Sequence, residues 1–563
     1  MLTAVIYYLF VGFYNLNTVH SSGGKDNKGT KFIFSFMDNL DSPLLKIFIT
    51  TQSPGITDVD VSTPRYNEHI LHTFSLAKGK VKEITLPADI RGRGTELGNK
   101  GVQILSTAEV AVFAVNKHEY KTDAYVVFPT DTLGKTYYVI SWPGQSSFMI
   151  VATKDHTTVN IIFSGAALVY NGTTYISGMT LSIRLEKWQT FHAYNETADF
   201  TGTLINSNND ITVISGNRCT KIVHGGCDHT VSQMTPVETF GHDFIAITMP
   251  NCNSPVSYSI FSSEDNTHVK ISGMPAVQLS TAGKFFTFDI QAKSSKVVSA
   301  NKPIALTFFA HGQCDGSNLG GPAMILIPPF PQFAADYTFA TIEVPAKPFR
   351  NYLTIVIRDI YITGLVLDGQ YITSSNWRNV DGSAYLKVND FPLNDGSHTV
   401  FHVDPTVTYL AVSTGLAEYN SYGYAAGQRL APINSICTKS VTKPGDIIDN
   451  DCDGYIDEEI QDGKDDDGDG RIDEDLAVFF DDVITTSTTT QVTSTEDIPG
   501  TTFTLEKTLY MAGIIVLATV LLCSSATLLF IWKKKKSPKR VHSRPKPIYV
   551  ERARKPNMAW NRF

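Results

Sequence analysis

Pro129-Thr-Asp-Thr-Leu-Gly-Lys-Thr-Tyr137 returns as Pro236-Val-Glu-Thr-Phe-Gly-His-Asp-Phe244, and more faintly as Pro329-Phe-Pro-Gln-Phe-Ala-Ala-Asp-Tyr337. Lys154-Asp-His-Thr-Thr-Val-Asn-Ile161 follows the first copy, and Glu264-Asp-Asn-Thr-His-Val-Lys-Ile271 follows the second. The opening stretch, Gly29 to Val61, keeps the same plan, with strands expected at 31–36 and 44–50. A second signature closes each unit. It reads Ile104-Leu-Ser-Thr-Ala-Glu-Val-Ala-Val112, then Leu204-Ile-Asn-Ser-Asn-Asn-Asp-Ile-Thr-Val213. Its later copies are Val297-Val-Ser-Ala-Asn-Lys-Pro-Ile-Ala-Leu306 and Thr399-Val-Phe-His-Val-Asp-Pro-Thr-Val-Thr408. Each is an alternating strand, a turn rich in Asn, Asp or Pro, and another alternating strand, which predicts a β-hairpin. Two separate signatures on nearly one period argue for a true internal repeat rather than chance likeness.

The composition agrees. Hydrophobic residues make up 42% and charged residues 18%, with 24 Tyr and 32 Phe. Aromatic and β-branched side chains suit a pleated, half-buried surface, and little of the chain shows helical periodicity. Some seven short strands in roughly one hundred residues is the strand density of a β-sandwich. The expected fold is therefore all-β, with four tandem sandwich-like repeats over residues 29–428. A pseudo-symmetric assembly that exchanges strands or closes into a ring is the alternative.

Three blocks carry a family resemblance: Thr122-Asp-Ala-Tyr-Val-Val-Phe-Pro-Thr-Asp-Thr-Leu-Gly134, Ala152-Thr-Lys-Asp-His-Thr-Thr-Val159, and Gly226-Cys-Asp-His229 leading to Gln233-Met-Thr-Pro236. With them, residues from about Gly29 to Gly427 resemble the N-terminal domain of the IgGFc-binding protein family. The resemblance implies an extracellular recognition or adhesion module with no known catalytic residues. This chain departs from the mucus-secreted members in lacking Cys-rich von Willebrand-type domains and in its expected membrane anchor. The family name alone therefore does not carry immunoglobulin Fc over as its partner.

The two ends set the expected compartment. Leu509 to Trp532 is uncharged and, at ~1.5 Å per residue, long enough for a ~30 Å hydrocarbon core. Lys533 to Lys536 follow at once, and the basic tail, 533–563, is expected to stay cytoplasmic. Ala4 to Phe13 is a shorter apolar stretch, so residues 1–22 are read as a secretory signal. These features predict a single-pass type I protein of the plasma membrane, with its ectodomain outside and no nucleic-acid partner.

Of the seven cysteines, Cys523 falls in the expected span. An oxidising compartment pairs the other six. Cys437 and Cys452 are expected to pair locally, while Cys219, Cys227, Cys252 and Cys314 leave three connectivities open. Asn171-Gly-Thr and Asn195-Glu-Thr are glycosylation acceptors.

The sharpest chemical signal lies in residues 437–476. Asp449-Asn-Asp-Cys-Asp-Gly-Tyr-Ile-Asp457 and Asp465-Asp-Asp-Gly-Asp-Gly-Arg-Ile-Asp473 share the spacing of alternate carboxylates on a tight loop. Ca²⁺ takes six to eight hard oxygen ligands, and such loops aim several at one point. The candidates are Asp449, Asp451, Asp453, Asp457 and the Tyr455 carbonyl, then Asp465, Asp467, Asp469, Asp473 and the Arg471 carbonyl. Where an EF-hand needs Glu, Ile460 and Leu476 stand instead. The pair is similar to thrombospondin type 3 repeats, whose compact loops are stapled by cysteine. The Thr/Ser-rich stretch in residues 485–507 reads as a disordered, O-glycosylated stalk.

The expected function is adhesion or recognition at the cell surface, with a protein or glycan partner held by the β-repeats. A structural surface coat without a dedicated ligand is the alternative. His311-Gly-Gln-Cys-Asp315 and Gly225-Gly-Cys-Asp-His229 place His, Cys and Asp close together, but disulfides explain these cysteines more economically than a cysteine hydrolase. Arg91-Gly-Arg-Gly94 reads as a hairpin turn, not a phosphate loop.

Overall fold

The computed structural model describes residues 25–479, apart from 41, 68, 224–225, 315–317, 343–347 and 467–470. The expected signal, the stalk, the apolar span 509–532 and the basic tail lie outside the described residues. Among the described residues no helix is long and apolar enough to cross a membrane. All of them fall in one compact unit of the chain, residues 1–489.

The second repeat shows the plan most plainly. Thr180–Leu185, Thr157–Ile162, Leu204–Ser207 and Thr136–Tyr138 form one antiparallel sheet, in that order. Asp228–Gln233, Ile211–Thr220, Ser146–Ala152 and Thr190–Asn195 form the other. Burial alternates along Thr180–Leu185, as a sheet with one wet face requires. The fourth repeat repeats this order, with Asp336–Ala340 opening one sheet and Asn420–Ala425 ending the other. In the first and third repeats the two sheets fuse through one long strand, Val102–His118 and Lys296–Ala310 respectively. The fold class read from the sequence, all-β with four sandwich-like repeats, is the observed one.

The closing signature is not a hairpin. Its two strands do not pair with each other but switch sheets. Residues 102–106 of the long strand pair with residues 31–34 and 59–62, whereas residues 111–118 pair with Leu44–Thr50 and Lys121–Val127, and residues 28–29 reach round the corner to pair with 110–111. Leu204–Ser207 and Ile211–Thr220 divide between the two sheets in the same way. Asn, Asp and Pro report that the chain changes direction, not by how much. A corner at which a strand leaves one sheet for its partner uses the same residues, and Pro303 loses no ladder bond there.

The repeats close on themselves. The core of the first takes in Met149, Val151, Ile214 and Val231 of the second. That of the second takes in Phe261, Ala305, Phe309 and Met324 of the third. The third shares its core with Val356, Leu410 and Val412 of the fourth, and the fourth with Phe48, Phe113 and Val115 of the first. The last strands of the units, Lys121–Val127, Asp228–Gln233, Met324–Ile327 and Asn420–Ala425, touch in the same cyclic order. Of the two arrangements the sequence left open, the closed one is present. Units also exchange strands, since Glu96–Gly98 of the first adds to the edge of Thr190–Asn195 in the second. The Arg91-Gly-Arg-Gly94 loop leads into that exchange and is no hairpin turn. Arg91 is buried, its Nε donating to Asp38 Oδ1 at 3.3 Å.

The Pro129 motif is the joint between units. The Thr132 hydroxyl donates to the Pro129 carbonyl at 2.9 Å, as that of Thr239 does to Pro236 at 2.8 Å. The Tyr137 hydroxyl accepts from the Gly134 N–H at 2.8 Å and donates to the Ile211 carbonyl at 2.9 Å. Tyr337 makes the same pair of bonds with Ala334 and Tyr409. A side chain at Gly29 or Gly134 would collide with Pro129 or Pro236, so the joints pack backbone against ring.

Candidate functional site

Each unit ends in two neighbouring strands, and the described parts of the connections between them come together, at Tyr120, at residues 226–227, at residues 312–313 and 320–322, and at Tyr419. Two are fastened by disulfides, Cys219–Cys227 and Cys252–Cys314. These choose among the three connectivities left open, and Cys437–Cys452 pairs as expected. The connections enclose a pocket of about 370 Å³ to which all four units contribute. Tyr120 and Tyr419 stand edge to face on its rim, with ring centroids 5.9 Å apart.

Beneath the pocket lie two buried carboxyls. Asp123 Oδ2 accepts the N–H of Val231 and that of Met324, each at 3.0 Å, so one side chain joins three units. Asp228 Oδ1 accepts the Thr122 N–H at 2.9 Å and the His229 N–H at 2.7 Å. Among the described residues, Asp228 Oδ2 is buried without a hydrogen-bond partner. Burial pushes both carboxyls well above the usual range, with Lys121 opposing the shift at Asp228. Sequence reasoning missed this site. In the sequence Asp228 stands within a family motif and beside Cys227 and His229, with nothing local to mark it as buried. Tyr419 gives one local signal, a bulky residue in a two-residue hairpin turn where Gly or Asn is expected.

In the Asp-rich segment, ligating atoms of Asp449, Asp451 and Asp453 lie within 4.8 Å of one another. Asp449 is shaped by the N–H groups of Cys452, Asp453 and Gly454, at 2.6, 3.2 and 3.1 Å. Asp457 turns toward the fourth unit, where Arg429 Nη2 lies 3.6 Å away. Arg429 also donates to the Ile456 carbonyl at 2.7 Å, so the loop is docked on the ring and not free. Tyr455 is exposed. From the second loop, Asp467 and Asp469 lie outside the described residues. Asp465 is exposed, Asp473 Oδ1 accepts the N–H groups of Asp462 and Gly463 at 3.2 Å, and the Arg471 guanidinium pairs with Asp451.

The donor set fits a hard cation. Asp457 and Asp475 are buried, and each has a carboxylate oxygen without a hydrogen-bond partner. Burial, then the charge of neighbouring carboxylates, pushes Asp475 up to about 7 and Glu458 up to about 9. Asp457 rises to about 6 by burial, against the pull of Arg429. Carboxyls crowded in this way could hold a hard cation such as Ca²⁺.

The two acceptor asparagines differ. Asn171 sits in an exposed turn, whereas Asn195 is half-buried and donates through Nδ2 to the Ala167 carbonyl at 2.6 Å. Ser257, His311 and Asp289 also meet. Yet Ser257 Oγ, at 2.7 Å, and Asp289, at 3.8 Å, approach the same nitrogen, His311 Nε2. A proton relay needs them on opposite sides of the ring. The disulfides remove the thiolate a cysteine hydrolase requires.

Residues 123–412 match the family described as IgGFc binding protein, and they span more than half of the chain. The chain belongs to this family. The IgGFc-binding protein of Homo sapiens is 23% identical over 433 residues, which is 73% of this chain and 8% of that protein. The chain thus spans a small part of its relative's length. Membership of the IgGFc binding protein family points to an extracellular recognition or surface protein. The matched stretch runs from Asp123 to within Leu410–Ala417, so it includes strands of all four units.

Proposed function

We propose that the chain is a single-pass type I receptor of the plasma membrane, which recognises a protein or glycan partner at the end of its ring where four connections meet. The observation that carries this reading is their convergence on one disulfide-fastened pocket. A recognition surface benefits from parts held in place before the partner arrives, because less ordering is left to offset on binding. Family membership supports an extracellular role, and the name of the human relative makes immunoglobulin Fc one partner to test. The apolar span, basic tail and signal-like start support the anchor. Ca²⁺, held by the Asp-rich segment through Asp449, Asp451 and Asp453, is the proposed cofactor. Its role there is to neutralise the carboxylates and hold the segment against the ring through Arg429 and Asp457.

Cells displaying the full chain, offered labelled Fc, mucins and the soluble ectodomain, test the reading. Saturable binding of Fc or mucin supports a receptor. Binding of the ectodomain alone supports the surface-coat alternative and overturns this reading.

A further inference from the structure

Resting on that reading, we infer that the pocket shared by the four units is a carbohydrate subsite for an uncharged terminal sugar. Tyr419 is the first ground. It occupies a two-residue turn between Leu410–Ala417 and Asn420–Ala425, at a φ of 59°. Left-handed backbone suits Gly or Asn, and a tyrosine there is held at a conformational cost. Tyr419 is 36% exposed and Tyr120 39% exposed, so the pair offers aromatic surface at the rim. Tyrosine combines an apolar face, which packs on the C–H face of a sugar ring, with a hydroxyl at its tip.

The pocket's polar groups complete the match. Asp228 Oδ2 has no hydrogen-bond partner among the described residues and lies against Gly321, where any side chain would collide with it. A sugar hydroxyl satisfies such an oxygen and accepts a bond in turn. Lys121 and Asp228 line the pocket together, so an ammonium and a carboxyl face one space and a polyol can bond to both.

The rim is also fixed. The Tyr419 N–H donates to the Asn318 carbonyl at 2.7 Å and the Gly320 N–H to Ala417 at 2.8 Å. Asn420 Nδ2 reaches the Glu119 carbonyl at 3.1 Å, tying the fourth unit to the first. These bonds and the Cys252–Cys314 disulfide hold the ring pair in place without a ligand.

The test uses cells displaying the full chain. Probes are polyacrylamide carriers bearing galactose, mannose, N-acetylglucosamine or fucose, with sialylated and sulfated carriers and labelled Fc alongside. The expected result is saturable binding of at least one uncharged probe, displaced by its free monosaccharide. Tyr419→Gly should weaken it at least tenfold while surface level is kept and the thermal midpoint is unchanged or raised, because glycine relieves the turn. Gly321→Val should weaken it as well. An unaltered affinity in Tyr419→Gly overturns the inference, as does binding of charged probes alone. Fc binding without any sugar binding sinks the inference and leaves the receptor reading standing. No saturable binding of any probe sinks both.

Discussion

At Asp123 one carboxyl accepts backbone N–H groups from two other units, in a place without water. Deleting it strands those donors, and an unsatisfied buried N–H costs about 1–3 kcal/mol. Asp123→Ala should therefore lose about 2–5 kcal/mol in urea unfolding of the secreted protein, and Asp123→Asn, which turns donors toward donors, should not restore it. His229 predicts a pH dependence. It is fully buried with Nδ1 2.8 Å from the Asn217 carbonyl, and burial lowers its pKa to about 4. Unfolded, it titrates near the ordinary 6.5, so its contribution is complete above that pH. It is lost as pH falls from about 6.5 toward 4, by up to about 3 kcal/mol. Unfolding measured across that window should show the loss, and His229→Gln should flatten it.

Among the elements, the corner strands show what a sequence discloses. The strand character of residues 102–118 reads directly from their apolar content, although burial alternates only in residues 102–105 and residues 110–116 are buried on both faces. Which sheet each half joins does not read, because pairing partners are far apart in sequence and Asn, Asp and Pro serve hairpins and corners alike. The disulfide pattern had the same limit, since Cys252 and Cys314 are brought together by strands rather than by spacing. The clustering of Asp449, Asp451 and Asp453 was legible from local carboxylate spacing, but Arg429, which meets Asp457 from the ring, was not. In the chain-entropy view a closed loop stabilises more the longer it is. Cys252 and Cys314 are 62 residues apart and Cys219 and Cys227 only 8, so the paired serine variants should lose about 4 and about 2.5 kcal/mol. Thermal unfolding should rank them in that order. For the Asp-rich segment, millimolar Ca²⁺ should protect residues 437–479 of the full chain from proteolysis, with Asp449→Asn and Asp451→Asn weakening the protection. Equal cleavage with Ca²⁺ or chelator would remove calcium from the account.

For the whole molecule, what matters is that the first and fourth repeats meet. Lys28 Nζ lies 2.7 Å from Asp336 Oδ2, the Asn27 N–H donates to the Gln428 carbonyl at 3.2 Å, and the Thr50 and Ser397 hydroxyls are 2.7 Å apart. Only closure gathers the four connections into one pocket. A string of separate sandwiches would leave them apart and offer no shared site. The direct measurement is to secrete the Thr50→Cys, Ser397→Cys double variant and map its bonds by non-reducing peptide analysis. The account predicts a quantitative new cystine between positions 50 and 397, with the native pairs intact. Two alkylatable thiols in a folded protein would contradict it.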